Sequence, residues 1–141
     1  MSIETIKKAI PHREPFLLVD EIVEQSETRI VCRKRFTGEE FWYRGHYPGF
    51  PLTPGVLLCE AAMQAGAVLL AEYVAETTGM PVATRMNNVK FKSMVRPGDT
   101  IVIEVELAEQ TAGAYFLNAK VTVGDKTAVT FDFACKMAEP K

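Results

Sequence analysis

Hydrophobic and polar positions alternate with period two through the C-terminal half of the chain. Ile101, Ile103, Val105 and Leu107 interleave with Val102, Glu104 and Glu106. Tyr115, Leu117, Ala119, Val121 and Val123 continue the pattern, as do Val129, Phe131, Phe133, Cys135 and Met137. Such alternation predicts strands with one buried face. Turn signals at Arg96-Pro97-Gly98-Asp99, Ala112-Gly113 and Gly124-Asp125 join them into an antiparallel meander, preceded by another strand around Thr84 to Lys92. At the N-terminus, Ile3, Ile6 and Ile10 recur at helical spacing behind a capping Ser2 and stop at Pro11. Phe16 to about Gln25 and Arg29 to Phe36 read as a hairpin broken at Ser26-Glu27-Thr28.

Between these halves the pattern changes twice. Phe41 to Pro51 is rich in aromatics, Gly and Pro, so His46 sits in a fixed irregular turn. Thr53-Pro54 then predicts a helix start, a capping side chain followed by proline at the first helical position. That helix is expected to reach about Thr77, before Gly79 and Pro81. Its first five turns are apolar on every side, with Glu60 the only charge before Glu72. A helix hydrophobic all round must be wrapped by other elements. The expected architecture is α+β: one long buried central helix wrapped by a curved antiparallel sheet of about six strands.

A length of 141 residues suggests one domain, 1–141, and 48% hydrophobic with 24% charged residues excludes a disordered chain. A net charge of -2 advertises no nucleic-acid or anionic-membrane surface. Cys32, Cys59 and Cys135 are scattered and share no C-x-x-C spacing, which fits reduced thiols in a cytosolic protein. A zinc site is poorly supported, since only His12 and His46 are available and neither has a spaced Cys partner. Met1 to Pro11 has no apolar core of signal-peptide length. Val56 to Ala71, interrupted by Glu60 and Gln64, falls short of the roughly 20 apolar residues a membrane span needs. A soluble, cytoplasmic protein is expected.

His46 and Glu60 form the first chemical constellation. A carboxylate on an apolar helix loses hydration and can serve as a proton donor near neutrality, and an imidazole is the natural general base at that pH. The bland alternative is a histidine hydrogen-bonded within its loop and a glutamate paired with a buried arginine. Gly55 falls in the first helical turn, where N–H groups lack intrahelical partners and the dipole favours negative charge. A thioester carbonyl there would have its enolate charge stabilised; tight packing of the helix start is the other explanation for this glycine. Together the three residues supply acid, base and oxyanion donor for a β-elimination.

The segment Gly45-His46-Tyr47-Pro48-Gly49-Phe50-Pro51-Leu52-Thr53-Pro54-Gly55-Val56-Leu57-Leu58-Cys59-Glu60 resembles the GHFPGxPxxPGxxxxE signature of β-hydroxyacyl-acyl-carrier-protein dehydratases of the FabZ type. Pro11 to Asp20 is similar to that family's PHRxPFLLVD. Lys90-Phe91-Lys92 and Arg96-Pro97-Gly98-Asp99 match its later strand and turn. The resemblance spans essentially the whole chain. It implies a hot-dog fold and homodimers with active sites shared across the interface, often arranged as trimers of dimers. It also implies an acyl carrier protein as the partner bearing the substrate, and no cofactor. The implied reaction dehydrates a (3R)-3-hydroxyacyl thioester to the trans-2-enoyl thioester. His46 would take the α-proton, Glu60 would protonate the departing hydroxyl, and the Gly55 N–H would hold the carbonyl. Gln64, one turn after Glu60, matches a family glutamine that either orients that carboxylate or makes an ordinary packing hydrogen bond.

The chain departs from the family pattern at Phe50, Tyr47, Thr53, Glu14 and the Ala62-Met63 order, which bears on acyl-chain preference. Phe50 and the helix face of Val56, Met63 and Ala67 are candidates to line an acyl tunnel. Ala61, Ala62, Ala65 and Gly66 are expected to leave room beside the helix, unless Phe50 plugs it. His12 reads as structural, supporting a loop near the site. Phe41, Trp42 and Tyr43 read as core or interface, with lining of the acyl tunnel as the other use. Lys90, Lys92, Arg96 and Arg13 read as a solvated face, with docking of an acidic carrier as the other use. Two further readings stay open: a hot-dog thioesterase relying on the carboxylate, and a non-catalytic acyl-binding subunit.

Overall fold

A computed structural model describes residues 2–75 and 79–138. Its elements are helix α1 (Ile3–Ala9), strands β1 (Glu21–Gln25) and β2 (Arg29–Arg35), a 3-10 turn (Phe41–Arg44), helix α2 (Gly55–Val74), and strands β3 (Met80–Phe91), β4 (Thr100–Thr111), β5 (Ala114–Val123) and β6 (Lys126–Ala138). The six strands form one antiparallel sheet in the order β1-β2-β4-β5-β6-β3. It packs on α2 through β2, β3, β4, β5 and β6, which makes this a hot-dog fold.

The alternating residues of the meander do what their period requires: Ile101, Ile103, Val105, Leu117, Val121, Val129, Phe131 and Phe133 turn inward onto α2. From the helix side, Leu58, Ala61, Ala62, Ala65, Val68, Leu69 and Leu70 meet them. Each large aliphatic chain so buried contributes about 1.5–3 kcal/mol over an exposed one. The small residues are filled against the sheet. Ala61, Ala62 and Ala65 are buried, and a Cβ added at Gly66 would lie 2.8 Å from the Phe133 ring. The expected room beside that face is therefore occupied by the core.

Several sequence expectations shift. The first strand begins at Glu21 and not at Phe16. Leu17, Leu18 and Val19 are instead buried against α2, where Gln64 takes the backbone groups a strand partner would take. Thr53 does not cap α2: Pro54 holds the cap position, and the Thr53 hydroxyl bonds the Tyr43 hydroxyl at 2.6 Å. Ser2 likewise caps α1 only through its carbonyl, which accepts the Thr5 N–H. The last described helical residue is Val74, and the expected end at Thr77 lies outside the described residues. β3 is longer than expected, starting at Met80.

α2 is not covered on every side. Val56 is 68% exposed, and Glu60, Met63, Ala67 and Ala71 are only half-buried. Their spacing places them on one stripe. The edge strand β3 is open too, with Met80, Val82, Met86 and Phe91 exposed. At 20 residues α2 is long and apolar enough to cross a membrane, but more than half of it is buried inside the fold.

Candidate active site

The loop before α2 is built to hold one imidazole. Trp42 and Tyr43 are buried, and the Trp42 carbonyl accepts the N–H groups of Gly45 and His46. Phe36 and Phe41 meet the Trp42 ring edge-on, with centroids 6.0 and 5.1 Å away. Burial pushes the Tyr43 hydroxyl pKa up, so it stays protonated and bonded to Thr53. The Thr53 N–H donates to the Val95 carbonyl at 2.8 Å, pinning the loop to the segment after β3. Tyr47 adopts a left-handed conformation (φ 53°), a position disfavoured for a bulky residue. Its carbonyl accepts the Phe50 N–H and its ring meets His46 edge-on at 4.8 Å.

His46 Nδ1 lies 2.9 Å from the Leu52 carbonyl oxygen. A carbonyl can only accept, so Nδ1 carries the proton and Nε2 keeps its lone pair. The ring lines a cleft of about 350 Å³ with Gly55, Val56, Leu58, Phe91, Ser93 and Met94. Gly55 opens α2 here. A Cβ on it would lie 2.7 Å from the Phe91 ring, so close packing of the helix start requires a glycine here. Phe50 is not among the residues lining this cleft; its ring packs under the Arg96 guanidinium, 4.4 Å away.

Glu60 belongs to a second cluster. It does not line the His46 cleft. Gln64, buried within α2, donates from Nε2 to Glu60 Oε2 at 3.0 Å and to the Phe16 carbonyl at 2.8 Å, while its Oε1 accepts the Leu18 N–H at 2.7 Å. The glutamine thus bonds the Glu60 carboxylate and also clamps the irregular segment at Phe16 and Leu18, a partner outside any helix or strand. His12 was missed as a neighbour of Glu60: its Nε2 lies 3.8 Å from the same carboxylate oxygen. The only sequence signal was its place in the Pro-His-Arg turn. Arg13 is exposed, as a solvated charge should be, and it also donates to the carbonyls of Lys7, Ile10 and His12, closing the end of α1. Cys59 adjoins Glu60, but burial pushes its thiol pKa up to about 11, so it is no nucleophile at neutral pH. Burial likewise raises Cys32 to about 12 and Cys135 to about 11. Among the described residues no group of three or more His, Cys, Asp or Glu is placed to hold a metal ion.

A family model described as a FabA-like domain matches residues 10–132. The 3-hydroxyacyl-[acyl-carrier-protein] dehydratase FabZ of Clostridium perfringens strain SM101 is 41% identical over 128 residues, covering 91% of this chain and 92% of its own. The chain belongs to the FabZ dehydratase family. A second FabZ relative, from Chloroflexus aggregans, is 38% identical over 141 residues and covers 99% of this chain and 98% of its own. Among solved structures, the dehydratase heterocomplex ApeI:P from Xenorhabdus doucetiae shares the fold. It aligns with a TM-score of 0.78 at 15% identity over 95% of this chain and 91% of that one.

Proposed function

We propose that the chain works as a single hot-dog domain, 1–141, in the cytoplasm, with His46 as base and Glu60 as acid drawn from two different subunits. It is a hydro-lyase, a 3-hydroxyacyl-acyl-carrier-protein dehydratase of fatty acid biosynthesis. The observation that carries the site assignment is the hydrogen bond from His46 Nδ1 to Leu52, which leaves Nε2 basic in a cleft at the start of α2. There Nε2 removes the α-proton of a (3R)-3-hydroxyacyl thioester while the Gly55 N–H holds the carbonyl. Glu60 protonates the departing hydroxyl, and the trans-2-enoyl thioester and water leave. A thioesterase would need only the carboxylate and would leave the anchored imidazole without a task.

The absence of Glu60 from the lining of the His46 cleft supports a shared site. So do the open β3 edge and the uncovered stripe of α2, two adjoining apolar surfaces that a second copy would cover by pairing β3 with β3. A carrier would dock beside the cleft, where Lys92, Arg96 and Lys126 line a neighbouring cleft that shares Phe91, Ser93 and Met94 with the first. Those cations suit an acidic partner through contacts that salt weakens. Hydration of crotonyl and longer enoyl thioesters, followed by loss of enoyl absorbance, tests the activity. Absence of hydration on any chain length or carrier overturns the reading.

A further inference from the structure

His12 is fixed from both sides. Arg13 Nη1 donates to the His12 carbonyl at 2.7 Å and to the Ile10 carbonyl at 2.9 Å, and Nη2 donates to Lys7 at 2.9 Å, so His12 is tied to the end of α1. Ile6 and Ile10 seat that helix end in the core. On the other side, Gln64 holds the Phe16 carbonyl and the Leu18 N–H. The imidazole between these clamps turns Nε2 toward Glu60 Oε2, 3.8 Å away. Its Nδ1 is buried and has no hydrogen-bond partner among the described residues. A proton on Nδ1 would find no acceptor, so the ring carries its proton on Nε2, the nitrogen facing the carboxylate.

Two donors therefore address a single oxygen of the acid: Gln64 Nε2 at 3.0 Å and His12 Nε2 at 3.8 Å both point to Oε2. The second distance is longer than a hydrogen bond, and contacts of this kind tighten when substrate closes a site. An oxygen that already accepts the Gln64 amide and faces His12 Nε2 is a poor place for a proton, so a proton carried by Glu60 belongs on Oε1.

We propose that His12 is a positioning residue that, with Gln64, fixes which carboxyl oxygen of Glu60 delivers the proton and stabilises the carboxylate left behind. This rests on Glu60 being the acid. In that step the C–O bond of the substrate breaks with its electron pair going to oxygen. The Oε1 proton makes that oxygen water, the α-proton passes to His46 Nε2, and the C–H pair forms the new double bond. Glu60 ends as a carboxylate whose Oε2 accepts from both donors.

The test is a cycle of variants assayed in single turnover with a 3-hydroxyacyl thioester. His12→Ala is expected to lower kcat by about 10–100-fold with KM within about twofold, the scale of a misplaced catalytic group. His12→Gln, which keeps a donor near the Nε2 position, is expected to recover most of that loss. In a Glu60→Gln background, His12→Ala should have little further effect, because the group it positions is already gone. Equal losses in both backgrounds, or a His12→Gln as poor as His12→Ala, overturn the proposal, as does a loss confined to KM. If His12→Ala does not fold, the comparison of His12→Gln in the two backgrounds decides alone: any kcat change it causes must vanish with Glu60→Gln. A fully active Glu60→Gln enzyme is a separate result, and removes the assignment of the acid itself.

Discussion

The proton on His46 Nδ1 is committed to the Leu52 carbonyl, six residues further along the same loop. Everything His46 can do chemically then falls to Nε2. Proton transfer by a positioned group typically contributes about 10²–10⁴-fold. His46→Ala is expected to lower kcat by that order while the thermal midpoint stays close to wild type, since the loop is also held by the Tyr43–Thr53 and Thr53–Val95 hydrogen bonds. Turnover near the wild-type rate would show that another group takes the α-proton.

The proposed sharing of the site between subunits gives an all-or-none experiment. His46→Ala and Glu60→Gln proteins are each expected to be nearly inactive. Subunits mixed under exchange conditions should regain activity, because some interfacial sites then hold both an intact His46 and an intact Glu60. Mixed dimers that form and stay dead would place both groups in one subunit.

How much of this was legible in the sequence depended on whether a residue's partner was local. The His46 loop, the start of α2 and the meander were readable, because periodicity and turn residues act over a few positions. Thr53 was misread as a helix cap since its hydroxyl is claimed by Tyr43, ten residues away. Phe16 to Asp20 looked like strand because Leu17, Leu18 and Val19 are apolar, but the backbone there is satisfied by Gln64, over forty residues on. The contact of His12 with Glu60 was invisible for the same reason. The uncovered stripe of α2 could not be read either: an all-apolar helix looks alike whether a sheet or a second copy covers its last face.

Gly55 has two candidate duties that substitution can separate. In Gly55→Ala the new Cβ meets the Phe91 ring at 2.7 Å, so the ring must swing away or the helix start must shift. Overpacking of this kind costs about 1–3 kcal/mol, a loss to be read in thermal unfolding. Adding Phe91→Leu should restore most of the midpoint. Activity is expected to recover only in part, because the methyl group still crowds the N–H proposed to hold the carbonyl. Full recovery of kcat/KM in the double variant would mean that the glycine serves packing alone.

Acid should loosen the loop that leads into the aromatic turn. Burial pushes the Glu40 carboxyl pKa up, but the N–H groups of Thr37 and Gly38 bond it and Lys34 lies beside it, and together these hold it below the usual glutamate value. A folded-state pKa lower than the unfolded one gives stability that is present above about 4.5 and lost as pH falls through the lowered value. Thermal midpoints of wild type and Glu40→Gln, measured from pH 7 down to pH 3, should converge at the acid end. A gap that stays constant over that range would show that the carboxylate contributes nothing through its charge.

The acyl chain needs a path, and the core no longer offers one between α2 and the sheet. Gly66 is filled by Phe133, and Ala61, Ala62 and Ala65 are buried. The remaining apolar path starts at Gly55 and follows the stripe of Val56, Met63 and Ala67, as a tunnel between that stripe and the second copy proposed to cover it. Each methylene moved from water onto that stripe should gain about 0.8 kcal/mol, so kcat/KM is expected to rise with chain length from four carbons and then level off. Ala67 lies about 18 Å along the axis from Gly55, at 1.5 Å per residue. Ala67→Phe should therefore spare four-carbon substrates and penalise those of about fifteen carbons or more. Phe50 packs against Arg96 outside the cleft, so Phe50→Ala is expected to leave the length profile unchanged. A wild-type profile that peaks at four carbons, lengthened by Phe50→Ala and indifferent to Ala67→Phe, would make Phe50 the plug and move the chain off the helix stripe.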